Sequence, residues 1–347
     1  MPAWMSGLAV GQWFQIPGTA LSSVAPSPTP PGNTGSQSKV QTWNSFAVDT
    51  RTSKVYSVAG GGHNDYAGNE VDELTLELAQ PAWTQKLAPT PSGQLTNCQS
   101  YYADGRPTSR HSYYGVTLDI VNDRIMLFGG APWCTGGGFH SAVSSYNIGS
   151  NTYNGAGTHP SIINQGIATG EGGAAYALDP LTGDVYKAMF SNYAKWTRAS
   201  NSWSTITAGG GPNGHETMSA MDTTRGRVLY VGGASSNDHH LYTLSNSSFS
   251  AITLNGSSAA SIAGAEKGAL IYVEPVDRFF VRLAAAGATV YMIHPTTFEV
   301  TTLATTDGGT IPGTQSGPFN KFLYVPRLGG AVYVPSYSGN AWFLRLH

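Results

Sequence analysis

Histidine, tyrosine and arginine residues that could act on a carbohydrate occur in a few short motifs of this 347-residue chain. His63 lies three residues before Tyr66, and the pair Arg110 and His111 lies farther along the chain. A histidine or tyrosine can remove or deliver a proton, and a positively charged or amide side chain can neutralise a carboxylate. These residue types suit the binding of an acidic sugar polymer, or its cleavage by removal of the C5 proton of a uronate.

The predicted site gathers polar and aromatic residues from connections between β-strands. Its candidate catalytic residues are His63, His111, Tyr193 and His215. Its candidate ligand-binding residues are Trp43, Asn64, Tyr66, Arg110, Trp133, Glu216 and His239. Glu171 and Asn237 lie in connections of the same kind. The aromatic rings of the second set can stack on sugar rings, because each presents a flat apolar face.

Each motif also has a structural interpretation. Asn64 and Asp65 are typical turn residues, and His63 can donate to a nearby carbonyl group. Arg110 and His111 can hold neighbouring sheets together by hydrogen bonds. The glutamate that follows His215 can accept hydrogen bonds from backbone groups. Both interpretations stay open on the sequence alone.

An aromatic pair seven residues apart recurs along the chain and defines a repeat. The pairs are Tyr146 and Tyr153, Trp196 and Trp203, Tyr242 and Phe249, and Tyr291 and Phe298, with Leu76 and Trp83 as a first copy. Each repeat also contains an apolar run that ends in an acid, then a turn and a second β-rich run. Because one blade cannot bury both of its faces alone, this pattern predicts an all-β, six-bladed β-propeller.

The beginning and the end of the chain are predicted to share one blade. The sixth repeat opens at Trp342 without a second aromatic residue, whereas the run from Trp13 to Ile16 matches the second half of the other pairs. The predicted divisions are residues 1–25 for the closing strand, 26–40 for a linker rich in Pro, Ser and Gly, and 41–347 for blades 1–6.

Propeller topology places the candidate residues on one face. Connections into the first strands of blades, and connections between second and third strands, emerge on the same side of the ring. His111 and His215 precede first strands, which lie nearest the central axis, so we expect these two histidines to converge at the channel mouth.

The sequence predicts no metal site and no cofactor. Acids recur once per blade at the ends of first strands, where turn capping explains them: Asp49, Asp119, Asp179, Asp222 and Glu274. His239 and His240 are adjacent, and adjacent residues of a strand point to opposite faces, so they cannot clamp one ion. The sequence leaves open whether a cation binds in the central channel.

Glycine doublets that end second strands give the chain a family resemblance. Gly60-Gly61-Gly62, Gly129-Gly130 and Gly232-Gly233, together with the downstream aromatic pairs, resemble kelch repeats, whereas blades 3, 5 and 6 lack the doublet. Kelch-like propellers include galactose-oxidase-type domains, ulvan-type polysaccharide lyases and non-catalytic interaction modules. The resemblance therefore implies a fold and several functions, and no catalytic residue is carried over from it.

Net charge and apolar content restrict the classes of partner that the sequence predicts. The formal net charge of -2 predicts no nucleic-acid partner, and no apolar run approaches the roughly 20 residues of a membrane helix. The first residues lack the basic and apolar regions of a secretory signal. We expect an extracellular or virion-associated protein whose partner is a polysaccharide or surface glycan, with other virion proteins as further partners.

Two cysteines lie on loops that flank the first strand of blade 2. Cys98 and Cys134 belong to connections on the same predicted face, so they can meet. A disulfide between them and a pair of free thiols are both compatible with the sequence.

Three functions fit these observations. The first is a propeller that binds a carbohydrate or a cell surface as a component of a larger assembly such as a phage tail. The second is a polysaccharide lyase that uses histidine and tyrosine for β-elimination. The third is a protein-interaction module of the kelch kind.

Overall fold

The computed structural model describes residues 1–162, 172–234 and 238–347 of the chain. Its strands, in chain order, are β1 (Trp13–Gln15), β2 (Ala47–Asp49), β3 (Lys54–Val58), β4 (Val71–Thr75), β5 (Trp83–Leu87), β6 (Arg110–His111), β7 (Val116–Asp119), β8 (Arg124–Phe128), β9 (Ala131–Pro132), β10 (Val143–Asn147), β11 (Thr152–Tyr153), β12 (Ala175–Leu178), β13 (Val185–Met189), β14 (Asn192–Thr197), β15 (Ser202–Thr205), β16 (Met218–Asp222), β17 (Arg227–Val231), β18 (His240–Thr243), β19 (Ser248–Ala251), β20 (Ala269–Val273), β21 (Arg278–Arg282), β22 (Tyr291–Ile293), β23 (Val300–Thr302), β24 (Phe322–Val325), β25 (Gly330–Tyr333) and β26 (Trp342–Arg345).

The described helices are short. The α-helices are α1 (Ser38–Gln41) and α2 (Ala260–Ala263), and the 3-10 helices are Ala3–Met5, Leu21–Val24, Gly35–Gln37, Ser92–Gln94, Glu274–Val276, Phe319–Lys321 and Pro326–Leu328. None of the described helices has the length and hydropathy that a bilayer-spanning helix needs.

Six antiparallel four-stranded sheets form the blades of a β-propeller, which confirms the predicted fold class. In order from the axis outwards, blade 1 is β2-β3-β4-β5, blade 2 is β7-β8-β10-β11, blade 3 is β12-β13-β14-β15, blade 4 is β16-β17-β18-β19, blade 5 is β20-β21-β22-β23 and blade 6 is β24-β25-β26-β1. The strands β6 and β9 form a separate two-stranded sheet.

The predicted closure of the ring is present in blade 6. Strand β1 pairs with β26 in an antiparallel register that sets Trp13 opposite Leu344 and Gln15 opposite Trp342. The Trp13 ring is buried, and its Nε1 donates to the carbonyl oxygen of Ala288 in blade 5 at 3.0 Å. Strand β1 therefore completes blade 6 and contacts blade 5 through Trp13.

Aspartates at the ends of first strands cap the following turns, as predicted. The carboxylates of Asp49, Asp119, Asp179 and Asp222 each accept a hydrogen bond from a backbone N–H two or three residues later, at 2.9–3.2 Å. In blade 5 the corresponding Glu274 begins a 3-10 helix instead. We call the side that carries these turns the turn face, and the opposite side the loop face.

A channel of about 500 Å³ runs along the axis and opens on the turn face. First strands of all six blades line it with apolar side chains such as Val48, Leu178 and Leu323. On the side of the loop face, Tyr114 crosses the axis from blade 2, and its hydroxyl donates to the carbonyl oxygen of Gly268 in the connection into blade 5 at 2.9 Å. The ring of Phe319 packs on Tyr114 with centroids 4.9 Å apart, so the channel ends beneath these two rings.

The segment predicted as a linker, residues 26–40, packs against blade 1. The backbone N–H of Ala67 donates to the carbonyl oxygen of Pro31 at 2.8 Å. At the end of this segment, the buried Lys39 ammonium lies 2.9 Å from Glu70 and 2.7 Å from Asp72. The segment therefore contributes a buried charge to the core of blade 1.

Candidate functional site

A two-stranded sheet on the loop face brings the connections of blades 1 and 2 together. Strand β6 pairs with β9, and a further bridge joins His63 to Trp133. The backbone N–H of Cys134 donates to the carbonyl oxygen of His63 at 2.7 Å, and Cys134 forms a disulfide with Cys98. This framework fixes His63 beside His111.

The two histidine rings stack on each other. Their centroids lie 4.7 Å apart with an angle of 17° between the planes, and the Trp43 ring lies 5.2 Å from His111. His111 Nε2 is 3.0 Å from Oδ2 of Asp65, and the other carboxylate oxygen of Asp65 accepts from the Thr34 hydroxyl. We call His63, Asp65 and His111 the histidine half of the site.

Both histidines are held neutral near pH 7. Burial lowers the pKa of His63, and the nearby Asp65 carboxylate only partly offsets this effect. Burial also lowers the pKa of His111, against its hydrogen bond to Asp65. His63 Nε2 is buried and has no hydrogen-bond partner among the described residues. His63 therefore holds an uncharged imidazole nitrogen that no described residue occupies.

Connections into blades 4 and 5 form a second, charged group, the carboxylate half: His215, Glu216, Glu266 and Lys267. Lys267 Nζ lies 3.4 Å from Glu216 and 3.9 Å from Glu266. Burial raises the pKa of Glu216, and the Lys267 charge opposes that shift. Lys267 Nζ also lies 5.9 Å from the centroid of the Trp43 ring, which joins this half to the histidine half.

Tyr113 lies between the two halves. Its ring centroid is 6.4 Å from that of His111, and burial followed by the Glu216 charge raises the pKa of its hydroxyl. Among the described residues, that hydroxyl has no hydrogen-bond partner. It is thus a free donor or acceptor beside both groups of ionisable side chains.

Two exposed phenylalanines flank the site. Phe139 is 40% exposed and its centroid lies 6.0 Å from that of His63; Phe190 is 39% exposed and lies 5.4 Å from His215. Phe190 occupies the tight turn between β13 and β14 with a φ of +47°, a conformation that bulky residues rarely adopt. The backbone of this turn therefore presents an aromatic ring to solvent at a conformational cost.

Two predicted ligand-binding residues lie inside the protein instead of on the face. The buried Arg110 guanidinium donates to the carbonyl oxygen of Gly129 at 3.1 Å, and burial lowers its pKa to about 10. The buried Tyr66 hydroxyl donates to Glu70 at 2.8 Å. Their polar atoms are used by the fold, which corresponds to the structural interpretation of both motifs.

Other predicted residues are spread over the molecule. Tyr193 is buried in blade 3, where its hydroxyl donates to the carbonyl oxygen of Pro212 at 3.3 Å. His239 is buried in blade 4 and accepts from the N–H of Gly232 at 3.3 Å. Asn64 and Trp133 are half-buried next to His63. Glu171 and Asn237 lie outside the described residues.

Of the residues grouped by sequence reasoning, His63 and Trp43 contact His111, and His215 lies with Glu216 in the carboxylate half; five neighbours of these residues were missed. The neighbours are Tyr113, Phe139, Phe190, Glu266 and Lys267. A signal existed for three of them: Phe190 stands where other blades have a glycine doublet, and Glu266 and Lys267 precede a first strand just as His215 does. No pattern in the sequence singles out Phe139.

No protein-family description matches the chain, and no curated protein matches it. The fold defines its class, a six-bladed β-propeller, and such propellers serve binding and interaction roles as well as catalysis. The kelch resemblance stays a prediction.

Proposed function

We propose that the loop face binds a saccharide between the rings of Phe139 and Phe190. The observation that carries this proposal is the pair of exposed aromatic rings on either side of a cluster of carboxylates and neutral histidines. The C–H face of a sugar ring packs on an aromatic face, and its hydroxyls donate to carboxylates.

The charges of the site favour a neutral or basic sugar over a polyuronate. Its described members carry three carboxylates, on Asp65, Glu216 and Glu266, against the single ammonium of Lys267. Arg110 cannot neutralise a uronate without leaving its carbonyl partners. An acidic polymer would therefore meet net negative charge.

The proposal is tested by binding, with variants matched for size and exposure. We expect a glycan array to identify a ligand, and Phe139→Ala and Phe190→Ala each to weaken its binding about tenfold in calorimetry, because one stacking surface is lost. Leu181→Ala is the control, since Leu181 is 75% exposed on the turn face. Equal affinity of all three variants and the wild type would contradict the proposal.

A polysaccharide lyase is the second candidate. The Nε2 of His63 and the hydroxyl of Tyr113, neither of which has a hydrogen-bond partner among the described residues, favour it, because they are a neutral base and a proton donor beside the same His111 ring. Incubation with a panel of uronate polymers tests this candidate by the ultraviolet absorbance of unsaturated products. His63→Ala should abolish any product; a full rate in that variant would exclude His63 as the base.

A larger assembly, such as a virion, is the setting we propose for this binding. Leu181 and Val121, which is 56% exposed, lie at or beside the mouth of the channel on the turn face. A partner subunit that covered these side chains would leave the loop face directed towards a glycan.

A further inference from the structure

We propose that His215, Glu216 and Glu266 bind a divalent transition-metal ion on the loop face. One ring nitrogen and one oxygen from each carboxylate all lie within 4.8 Å of one another. The donors come from two connections, before blades 4 and 5, so the packing of these neighbouring blades brings them together.

The distances suit a single ion. Zinc bonds to nitrogen and carboxylate oxygen are about 2.0–2.2 Å long, so donors that share one ion lie at most about 4 Å apart. Glu266 is 38% exposed and can close the remaining gap by rotation of its side chain. Glu216 is buried and held by the N–H···O bond from its backbone to Gly173 at 2.7 Å, so it provides a fixed donor.

The buried carboxylate of Glu216 is an independent sign that a cation belongs here. Its side chain is only 8% exposed, and within the described ranges its one cationic partner is Lys267, at 3.4 Å. Charge-assisted hydrogen bonds are usually about 2.8 Å long, so the contact with Lys267 is a long one for a carboxylate this buried.

Lys267 acts as an internal competitor of the ion. Its ammonium occupies the space between the two glutamates and partly neutralises them, and it must move when a divalent ion arrives. The Lys267 side chain is 32% exposed, so it can turn towards solvent. Removal of the ammonium should therefore strengthen metal binding.

The donor set selects the type of ion. One imidazole and two carboxylates suit Zn²⁺ or Mn²⁺ and leave coordination positions for water. Ca²⁺ prefers six to eight oxygen ligands, which three side chains with one nitrogen do not provide. We therefore expect Zn²⁺ to bind more tightly than Ca²⁺.

The test measures binding of Zn²⁺ alone to the full chain by calorimetry, with no sugar present. We expect Glu266→Gln and His215→Ala each to weaken Zn²⁺ binding at least tenfold, as loss of a ligand does, and Lys267→Met to strengthen it. His294→Ala is the matched control, because His294 is a half-buried histidine in blade 5 that caps its own turn. Circular dichroism confirms that each variant is folded.

Three results would overturn the inference: no Zn²⁺ binding to the wild type, unchanged binding in Glu266→Gln, or Ca²⁺ binding as tight as Zn²⁺. Because Glu266 is partly exposed, its substitution tests the site even if His215→Ala fails to fold. The inference stands independently of the proposed glycan, since neither the probe nor the readout involves a sugar.

Discussion

At the scale of single residues, blade 1 contains a buried group of two carboxyl side chains and one lysine. Lys39, Glu70 and Asp72 are all buried, and one oxygen of each carboxylate has no hydrogen-bond partner among the described residues. Burial raises the pKa of Asp72 to about 6, although the Lys39 charge opposes that shift. The Lys39 charge therefore lowers the free-energy cost of burying two carboxyl groups in the core.

Substitution Lys39→Met should be strongly destabilising. It leaves both carboxyl groups buried without a cation, so we expect the free energy of unfolding to fall by about 3–5 kcal/mol in urea titrations at pH 8. The loss should be smaller at pH 5, because a carboxyl with a raised pKa is protonated and neutral there.

Lys54→Met provides the matched control for that experiment. Lys54 pairs with Glu73 at 3.1 Å, but its side chain is 31% exposed, so the expected loss is below about 1 kcal/mol. Similar losses of unfolding free energy in Lys39→Met and Lys54→Met would show that burial of the Lys39 group adds nothing to the contribution of an exposed ion pair.

His140 should make the protein sensitive to acid. Burial, with a smaller effect of the Arg110 charge, holds the pKa of His140 well below its usual value of 6.5. The folded state therefore binds fewer protons than the unfolded state, and stability is lost as the pH falls below about 6.5.

Replacement of this histidine by a neutral side chain tests the prediction. In His140→Asn, the decline in unfolding free energy between pH 6.5 and pH 5 should be shallower by up to about 1.4 kcal/mol per pH unit. An identical decline in His140→Asn and wild type would exclude this group as a source of the acid sensitivity.

At the scale of elements, the sheet of β6 and β9 explains both a success and a failure of sequence reasoning. The repeat pattern predicted the blades and the face on which His63 and His111 meet. It did not predict that Arg110 points into the protein, because neighbouring residues of a strand point to opposite sides and the motif does not reveal which side is solvent. The pairing of β6 with β9 sets the strand register, and this register places the side chains of Arg110 and His111 on opposite sides of the sheet.

The same limit applies to the carboxylate half of the site. Glu266 and His215 are about fifty positions apart, and the packing of blade 4 against blade 5 brings them together. Tyr66 was misplaced for a related reason: its partner Glu70 is local, but the burial of both depends on the packed segment that carries Lys39.

The disulfide should support the histidine half. It joins the loop around Cys98 to the residue whose N–H binds the His63 carbonyl. In the double variant Cys98→Ser, Cys134→Ser we expect a loss of about 2–4 kcal/mol in unfolding free energy and weaker ligand binding. Unfolding titrations with and without reductant measure the first effect; reductant should not affect the double variant. A wild type indifferent to reductant, with the bond shown to be broken, would contradict the prediction.

At the scale of the whole molecule, stability depends on the closing strand. Trp13 packs on Phe322 and Tyr333 of its own blade and donates to Ala288 of blade 5. Trp13→Ala should cost about 3–5 kcal/mol, the usual loss for a large aromatic residue removed from a core.

The control for the closing strand is Val10→Ala, because Val10 is exposed a few residues earlier. Its unfolding midpoint in urea should equal that of the wild type. If Trp13→Ala unfolds at that same midpoint, the join between β1 and β26 does not hold the ring together.

The side chain of Tyr114 crosses the axis of the propeller on the side of the loop face. It spans from blade 2 to the connection into blade 5 on the opposite side of the ring, and its ring packs on Phe319. Across the described part of the chain, these two rings separate the apolar channel on the turn face from the polar loop face. A partner bound on the turn face and a ligand bound on the loop face would therefore be coupled through a shift of Tyr114 and of the first strands around it.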